Sequence, residues 1–217
     1  MQLVIGNKNY SSWSMRPWLL LKHFDLAFEE TRIPLFQEGY VERLAEYSPS
    51  LKVPVLIDGD LTIWESLAIC EYVAENYLEG KGWPGELKRK ALCRAYCNEM
   101  HGGFFAIRNE LPMNCRAQKS LELSPAVLRE VQRVDALWSE ARRDSAKEGD
   151  YLFGEFSIAD CMFAPMVMRF ATYKVPVSEP GRLYMQAIKA HPAVREWCLA
   201  AAAEVEVLKD YEVGTDI

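Results

Sequence analysis

The stretch "NYSSWSMRPW" at residues 9–18 sets serine hydroxyls at positions 11, 12 and 14 among two tryptophans and an arginine. It follows a short apolar run, "QLVIG" at 2–6, and leads into "SMRPWLLLKHF" at 14–24. The first run reads as a buried strand, and the second as a helix with Ser14 at its N-cap and a proline tolerated in the first turn. Hydroxyl donors at such a place add to the partial positive charge of a helix end, and together they favour a bound anion. Capping and turn chemistry is the other use for these serines, and it accounts best for Ser14. A similar conjunction occurs at Glu65 and Ser66, where "LTIW" ends and "ESLAICEYVAENYL" begins. Backbone N–H groups and a hydroxyl converge there at the positive end of a helix, which suits a carboxylate; simple capping by Ser66 is the alternative. Pro54 stands between Val53 and Val55 at the start of a strand. A trans proline would interrupt pairing there, so the position reads either as a cis bond or as an edge or bulge proline.

The elements that must position these residues follow from periodicity. After the first strand and helix, "FEETRIPL" fits a second strand, "EGYVERLAEY" a short helix and "SPSLK" a loop. In "VPVLIDGDLTIWES" two apolar runs flank "DGD", the strongest hairpin signal in the chain. "ESLAICEYVAENYL" then places Leu67, Cys70, Val73, Ala74 and Tyr77 or Leu78 on one side of a helix. The Gly and Pro cluster "EGKGWPGE" interrupts the pattern and reads as a linker. Beyond it, "LKRKALCRAYCNEMHGGFFAIRNEL", "SPAVLREVQRVDALWSEARRD", "SIADCMFAPMVMRFATY" and "PAVREWCLAAAAEV" carry helical periodicity with no convincing strand among them. Ser124 and Pro125 give the second of these an N-cap and a first-turn proline, and Ser157 with Asp160 reads as a capping box. Gly102 and Gly103 fall inside the first helix, at about 1 kcal/mol each against alanine, which close approach of a backbone or a ligand would offset. The pattern divides the chain into residues 1–79, a linker at 80–86 and a helical unit at 87–217.

Composition bounds the function. The chain has 217 residues, half of them hydrophobic, enough for a sizeable core. A formal net charge of −6 argues against a nucleic-acid surface, which carries a basic excess. No apolar run approaches the roughly 20 residues that span a bilayer, and the start lacks the pattern of a signal peptide, so a cytoplasmic protein without membrane partners is expected. Cys70, Cys93, Cys97, Cys115, Cys161 and Cys198 show no CxxC spacing and read as small apolar residues in a reducing compartment. His23, His101 and His191 are scattered, and no metal is expected.

With "SSWSMRPW", "KVPVLIDGD", "WESLAICEYVAE" and "FSIADCMFAPM" in this order, the sequence resembles the glutathione transferase superfamily along its whole length. It is most similar to serine-type members, the zeta-like and tau-like bacterial ones. The resemblance implies an α+β fold: a thioredoxin-like N-terminal domain, β-α-β-α-β-β-α, followed by an all-α C-terminal helical domain that holds the second substrate. It also implies glutathione as co-substrate, a small electrophilic partner, detoxification chemistry and a homodimer. By alignment with the serine-type pattern, Ser11 donates to the glutathione thiolate, Ser12 is its neighbour and Arg16 adds positive field. Tyr10 is the next hydroxyl, since other branches use tyrosine. A free thiol ionises near 8.5, and one hydrogen bond to a charged acceptor, worth about 1.5 to 3 kcal/mol, supplies most of a useful lowering.

In the resembling family the proline at position 54 is cis, and the backbone at Val53 pairs with the cysteinyl part of glutathione. Glu65 and Ser66 hold the γ-glutamyl end, Lys52 reaches the glycyl carboxylate, and Gln37 is a weaker candidate for the same surroundings. The first helix of the second domain lines the other substrate's pocket. There Met100, Phe104 and Arg108 form a stripe with Phe105 beside it, suited to an apolar electrophile with one anionic group or, equally, to packing with Arg108 in a salt bridge. One departure stands out: zeta-like members carry a cysteine where this chain has Trp13, which weakens the isomerase reading. Alternatives to a transferase are glutathione-dependent cis-trans isomerisation of a small unsaturated acid, with Arg108 or Arg116 on its carboxylate, and a non-catalytic interaction module of the same fold.

Overall fold

The computed structural model describes residues 1–217, the side chain of Asp144 apart. The N-terminal unit runs β1 (Gln2–Ile5), α1 (Ser12–His23), β2 (Glu29–Arg32), α2 (Tyr40–Ala45), β3 (Val55–Asp58), β4 (Leu61–Trp64) and α3 (Ser66–Tyr77). This is the expected β-α-β-α-β-β-α order. The strands form one sheet in the order β2-β1-β3-β4, with β1 parallel to β2 and antiparallel to β3. A parallel pair needs a crossover, and α1 supplies it. The apolar β1 occupies an inner position, while β2 at the edge carries the charged "EETR", as an exposed edge should. Leu3 and Ile5 of β1 belong to the main core and Val4 to a second cluster with Ile33, Leu44 and Val55, so the alternation of the strand serves both faces.

The hairpin turns at Gly59, whose φ of +62° needs no strain only in glycine. β3 begins one residue after Pro54, later than the sequence suggested, because a proline nitrogen has no hydrogen to give the ladder. The N-terminus of α1 is also corrected. Ser11 is the N-cap, the helix starts at Ser12, and Ser14 lies inside the first turn.

The second unit comprises α4 (Leu87–Gly102), α5 (Phe105–Glu110), α6 (Pro125–Ser145), α7 (Ile158–Thr172), α8 (Glu179–Ala190) and α9 (Pro192–Ala202). The pattern reading ran α4 and α5 together and passed over α8. It also expected no strand here, whereas β5 (Lys119–Ser120) and β6 (Thr215–Asp216) pair antiparallel and tie down the C-terminus. Ser124 caps α6 by accepting from the Val127 N–H, and Ser157 with Asp160 forms the capping box of α7. α7 is buried on nearly every side, and it packs against α1. A helix apolar all round belongs at the centre, so α7 joins the two units through one continuous core.

Cys70, Cys93, Cys97 and Cys161 are buried in that core, and burial pushes the Cys70 thiol up to about 12. Cys115 and Cys198 are half-buried. Among the described residues no group of His, Cys, Asp and Glu side chains could hold a metal ion, and no helix is long and apolar enough to cross a membrane.

Candidate active site

The loop from β1 to α1 is pinned from several directions. Glu204 accepts from the Lys8 and Asn9 N–H groups at 2.7 and 3.0 Å, and Asn7 Oδ1 accepts from the Leu35 N–H at 2.8 Å. Gly6 is required by close approach: a Cβ there would stand 2.5 Å from Leu35 Cδ1 and 3.2 Å from Ser11 Cβ. Ser11 caps no backbone N–H with its side chain. Its hydroxyl lies 2.7 Å from the Ser14 hydroxyl, which accepts from the Gly6 N–H at 3.1 Å. With Ser14 donating, the Ser11 proton is free for the cavity that this residue lines; with Ser11 donating, Ser14 accepts twice.

That cavity encloses about 490 Å³ between the two units. Ser12 also lines it, and its hydroxyl accepts from Arg169 Nη2 at 3.2 Å. Tyr10 reaches the wall, but its hydroxyl is spent elsewhere: it donates to Glu212 at 2.7 Å and accepts from Arg116 and from the Leu208 N–H. Burial raises the Tyr10 pKa, as does Glu212. Arg116 is likewise committed, donating to the carbonyls of Glu204 and Glu206.

A smaller cavity of about 220 Å³ adjoins the first, sharing Trp13, Lys52 and Val53 with it. It adds Ser50, Pro54, Glu65 and Ser66, so the residues expected at 52–54 and 65–66 come together. The Val53–Pro54 bond is cis. Ser48 holds the turn before it, accepting from the Lys52 N–H at 3.1 Å and donating to the Lys52 carbonyl at 2.7 Å. Glu65, at the N-cap of α3, has φ +71°, outside the usual range for a residue with a side chain. Its carboxylate meets His101 Nε2 at 3.3 Å, a partner the sequence did not suggest. Burial and the nearby Arg16 lower the His101 pKa.

Arg16 is fully buried and lines neither cavity. It lies beneath the smaller one, donating to Ser66 Oγ at 3.3 Å, while its Nε has no partner among the described residues. Its guanidinium and that of Arg108 stand over the Trp13 ring, 4.1 and 4.7 Å from its centroid. Burial, then repulsion from Arg108 and Arg169, pulls the Arg16 pKa well down; burial and Arg108 bring Arg169 to about 10. Arg16, Arg108 and Arg169 donate only to carbonyls and hydroxyls and form no ion pair among the described residues. Buried charge is ordinarily paired; these three cations have no carboxylate partner among the described residues, and two of them, Arg108 and Arg169, line the larger cavity.

The expected stripe on α4 does not form. The helix stops at Gly102, Gly103 is extended, Phe104 is left-handed at φ +60°, and α5 restarts at Phe105, so the helical register is lost. A side chain at Gly103 would press on the Glu99 carbonyl at 2.8 Å. Met100 and Phe104 are consequently buried in the core, Phe105 is 65% exposed, and none of the three lines the cavity. Arg108 does line it. Arg108 also closes the end of α4, donating to the carbonyls of Gly103, His101 and Met100 in place of a salt bridge. Gln37 is exposed in a turn, where its carbonyl accepts from the Tyr40 N–H, and it reaches neither cavity.

The remaining wall comes from residues that sequence reasoning missed. Arg169 had a signal, a lone cation in the apolar "MFAPMVMRFATY". Leu208, Asp210 and Tyr211 had none; they lie on the C-terminal strap that Glu204, Arg116 and Glu212 hold against the first unit.

A thioredoxin-like unit carrying a polar, cationic trough, closed by a helical second unit, defines the class of this protein. Residues 10–76 match the model of the glutathione S-transferase N-terminal domain and residues 122–200 that of the C-terminal domain. A dichloromethane dehalogenase of Methylophilus leisingeri is 30% identical over 163 residues, 70% of this chain but only 56% of that relative's length. The maleylacetoacetate isomerase of Rattus norvegicus is 28% identical over 183 residues, covering 77% of this chain and 76% of the relative. A glutathione transferase homolog from Burkholderia gl BGR1, solved with bound glutathione, superposes with a TM-score of 0.69 at 25% identity, over 92% of this chain and 97% of that one. The chain belongs to the glutathione transferase superfamily.

Proposed function

We propose that the protein is a glutathione transferase that binds glutathione in the paired cavities and presents its thiolate to a small electrophile. The observation that carries this reading is the Ser11 hydroxyl, unused as a cap and backed by Ser14, on the wall of the larger cavity. In this mechanism the tripeptide lies along Val53 with its γ-glutamyl carboxylate at Ser66, its ammonium at Glu65 and its glycyl carboxylate near Lys52. Arg16 strengthens the carboxylate end through Ser66 Oγ. The thiol loses its proton to solvent, and its sulfur accepts from Ser11, with Ser12 and Arg169 adding positive field. The thiolate then attacks an electrophilic carbon held in the larger cavity.

Ultraviolet titration of bound glutathione tests this directly. Ser11→Ala is expected to raise the thiol pKa by one unit or more, about 1.4 kcal/mol, and Ser12→Ala by less. A wild-type protein that neither binds glutathione nor lowers its thiol pKa would leave the non-catalytic module as the function.

A second reading, glutathione-dependent isomerisation of a small unsaturated acid, is favoured by Arg108 and Arg169. Both line the cavity and neither has a carboxylate partner among the described residues. Here the thiolate adds, a bond rotates and the thiolate leaves, with an arginine on the substrate carboxylate. The maleylacetoacetate isomerases among the relatives support it, and the absence of a cysteine at Trp13 weighs against it. A cytoplasmic homodimer fits the family; exposed Trp64, Tyr77 and Leu92 on β4, α3 and α4 offer apolar surface for the partner copy.

A further inference from the structure

Four of the six cysteines, Cys70, Cys93, Cys97 and Cys161, lie buried in the core, beyond the reach of a solute. Cys115 and Cys198 are different: both are half-buried, and their side chains are hydrogen-bonded to one another. They come from distant parts of the chain. Cys115 follows α5, where its N–H donates to the Asn9 carbonyl at 3.2 Å, and Cys198 lies on α9 directly after Trp197. The two segments converge on one acceptor, since the Lys8 carbonyl takes the Trp197 indole N–H at 2.8 Å and the Cys115 thiol at 3.8 Å. That shared anchor sets the two sulfurs side by side. Neither thiol lines a cavity of the candidate active site.

The pair is electrically unequal. Cys115 has two acceptors for its single proton, the Cys198 sulfur and the Lys8 carbonyl, and Glu204 stands nearby. The bond to Cys198, then burial, pushes the Cys115 thiol well up. Cys198 receives that hydrogen bond and faces Lys189 of α8, and these hold its pKa below the usual thiol value against the opposing effect of burial. A sulfur whose thiolate is favoured by a neighbouring donor and a cation is suited to attack a disulfide, and a protonated thiol in contact with it is suited to resolve the product.

We propose that Cys198 and Cys115 form a redox site that small disulfides such as glutathione disulfide oxidise reversibly, with Cys198 attacking and Cys115 resolving. The site stands apart from the transferase reading and does not rest on it. Cys198 gives its proton to solvent, and its sulfur bonds to one sulfur of glutathione disulfide. The S–S bond of that disulfide breaks, and one glutathione leaves as a thiolate that takes a proton from solvent. Cys115 then gives up its proton, its sulfur bonds to that of Cys198, and the bond from Cys198 to glutathione breaks, releasing the second glutathione, which is protonated in turn. Two protein thiols lose two electrons, and one glutathione disulfide gains them. Excess glutathione runs the sequence backwards. The finished bond fastens to α9 the segment that bears Arg116, which holds the strap through the Glu204 and Glu206 carbonyls.

The test treats the reduced full chain with glutathione disulfide, blocks the remaining thiols with iodoacetamide and maps the proteolytic peptides by mass. The wild type is expected to yield a peptide linking Cys115 to Cys198, to release about two glutathiones per chain, and to return to free thiols in excess glutathione. Cys115→Ser is expected to stop at a mixed disulfide on Cys198 with about one glutathione released, and Cys198→Ser to release almost none. A wild type that keeps both thiols free, or that stops at a mixed disulfide, overturns the proposal. So does a linked peptide that joins any other two cysteines, or a Cys198→Ser protein whose Cys115 reacts as fast as the wild type. The decisive peptide comes from the wild type, so misfolding of either variant leaves the test intact.

Discussion

The Ser14 hydroxyl lies 2.7 Å from that of Ser11 while accepting the Gly6 N–H at 3.1 Å, so a residue inside the helix positions the hydroxyl of the residue at its cap. Ser14→Ala should therefore raise the thiol pKa of bound glutathione, by less than Ser11→Ala does. It should also cost about 1 to 3 kcal/mol of stability, because the buried Gly6 N–H loses its acceptor. Thiolate titration and denaturant unfolding of the same variant separate the two effects.

Arg16 offers a different balance. Fully buried, with one hydroxyl as hydrogen-bond partner, the Trp13 ring at 4.1 Å and two other arginines nearby, it is an unfavourable group in the folded protein. Arg16→Met should leave the unfolding free energy unchanged or raised. It should weaken glutathione binding by about tenfold or more, the loss expected when a charge-assisted hydrogen bond worth about 1.5 to 3 kcal/mol no longer polarises Ser66. Calorimetric titration with glutathione measures the affinity, and a loss of stability with unchanged affinity would contradict this account.

Gly6→Ala tests the close approach beneath the cavity. The added methyl overlaps Leu35, whose side chain lines the larger cavity and must move. Because Leu35 is flexible and Ser11 is also within reach of the methyl, the expected signature is a higher KM for the second substrate together with a higher thiol pKa. Steady-state kinetics and thiolate titration check it.

Asp160 is buried, accepts from the Leu152 and Ser157 N–H groups and from the Ser157 hydroxyl, and burial raises its pKa to about 6. Asp160→Ala strands two backbone donors at about 1 to 3 kcal/mol each, which for a chain of this size corresponds to about 2 to 4 °C in Tm per kcal/mol. Asp160→Asn retains an acceptor and should lose less. Thermal unfolding of the pair gives the order.

The pH dependence of stability should carry the mark of His191. It caps α9 by accepting the Ala193 N–H on Nδ1, so its proton sits on Nε2, which donates to His23 Nδ1 at 2.9 Å. Burial, then the neighbouring His23, lowers the His191 pKa from 6.5 to about 4. Between these values the unfolded chain binds a proton that the folded one refuses. Stability is therefore complete above about 6.5 and falls as the pH drops toward 4, with a slope up to about 1.4 kcal/mol per unit for one proton. Denaturation curves across this range should flatten in His191→Gln.

The sequence by itself determined the order of elements in the first unit. The apolar run "QLVI", the "DGD" turn and the 3.6-residue spacing of "ESLAICEYVAENY" are local patterns, and local patterns report local structure. The family resemblance, rather than local pattern, brought Lys52, Val53, Pro54, Glu65 and Ser66 into one candidate site; the pattern marked only a strand start at Pro54 and a helix start at Glu65 and Ser66. Tertiary structure decided what those signals could not. Whether Ser14 caps α1 or backs Ser11 depends on where Gly6 lies. Whether Met100, Phe104 and Phe105 face a cavity depends on a break at Gly103 that the local pattern hid. The far wall is assembled from Arg169 on a central helix and Tyr211 on a terminal strap, residues separated along the chain from the serines they face. Their approach is fixed by α7 packing on α1 and by Glu204 gripping the first loop, and no periodicity encodes contacts between distant segments.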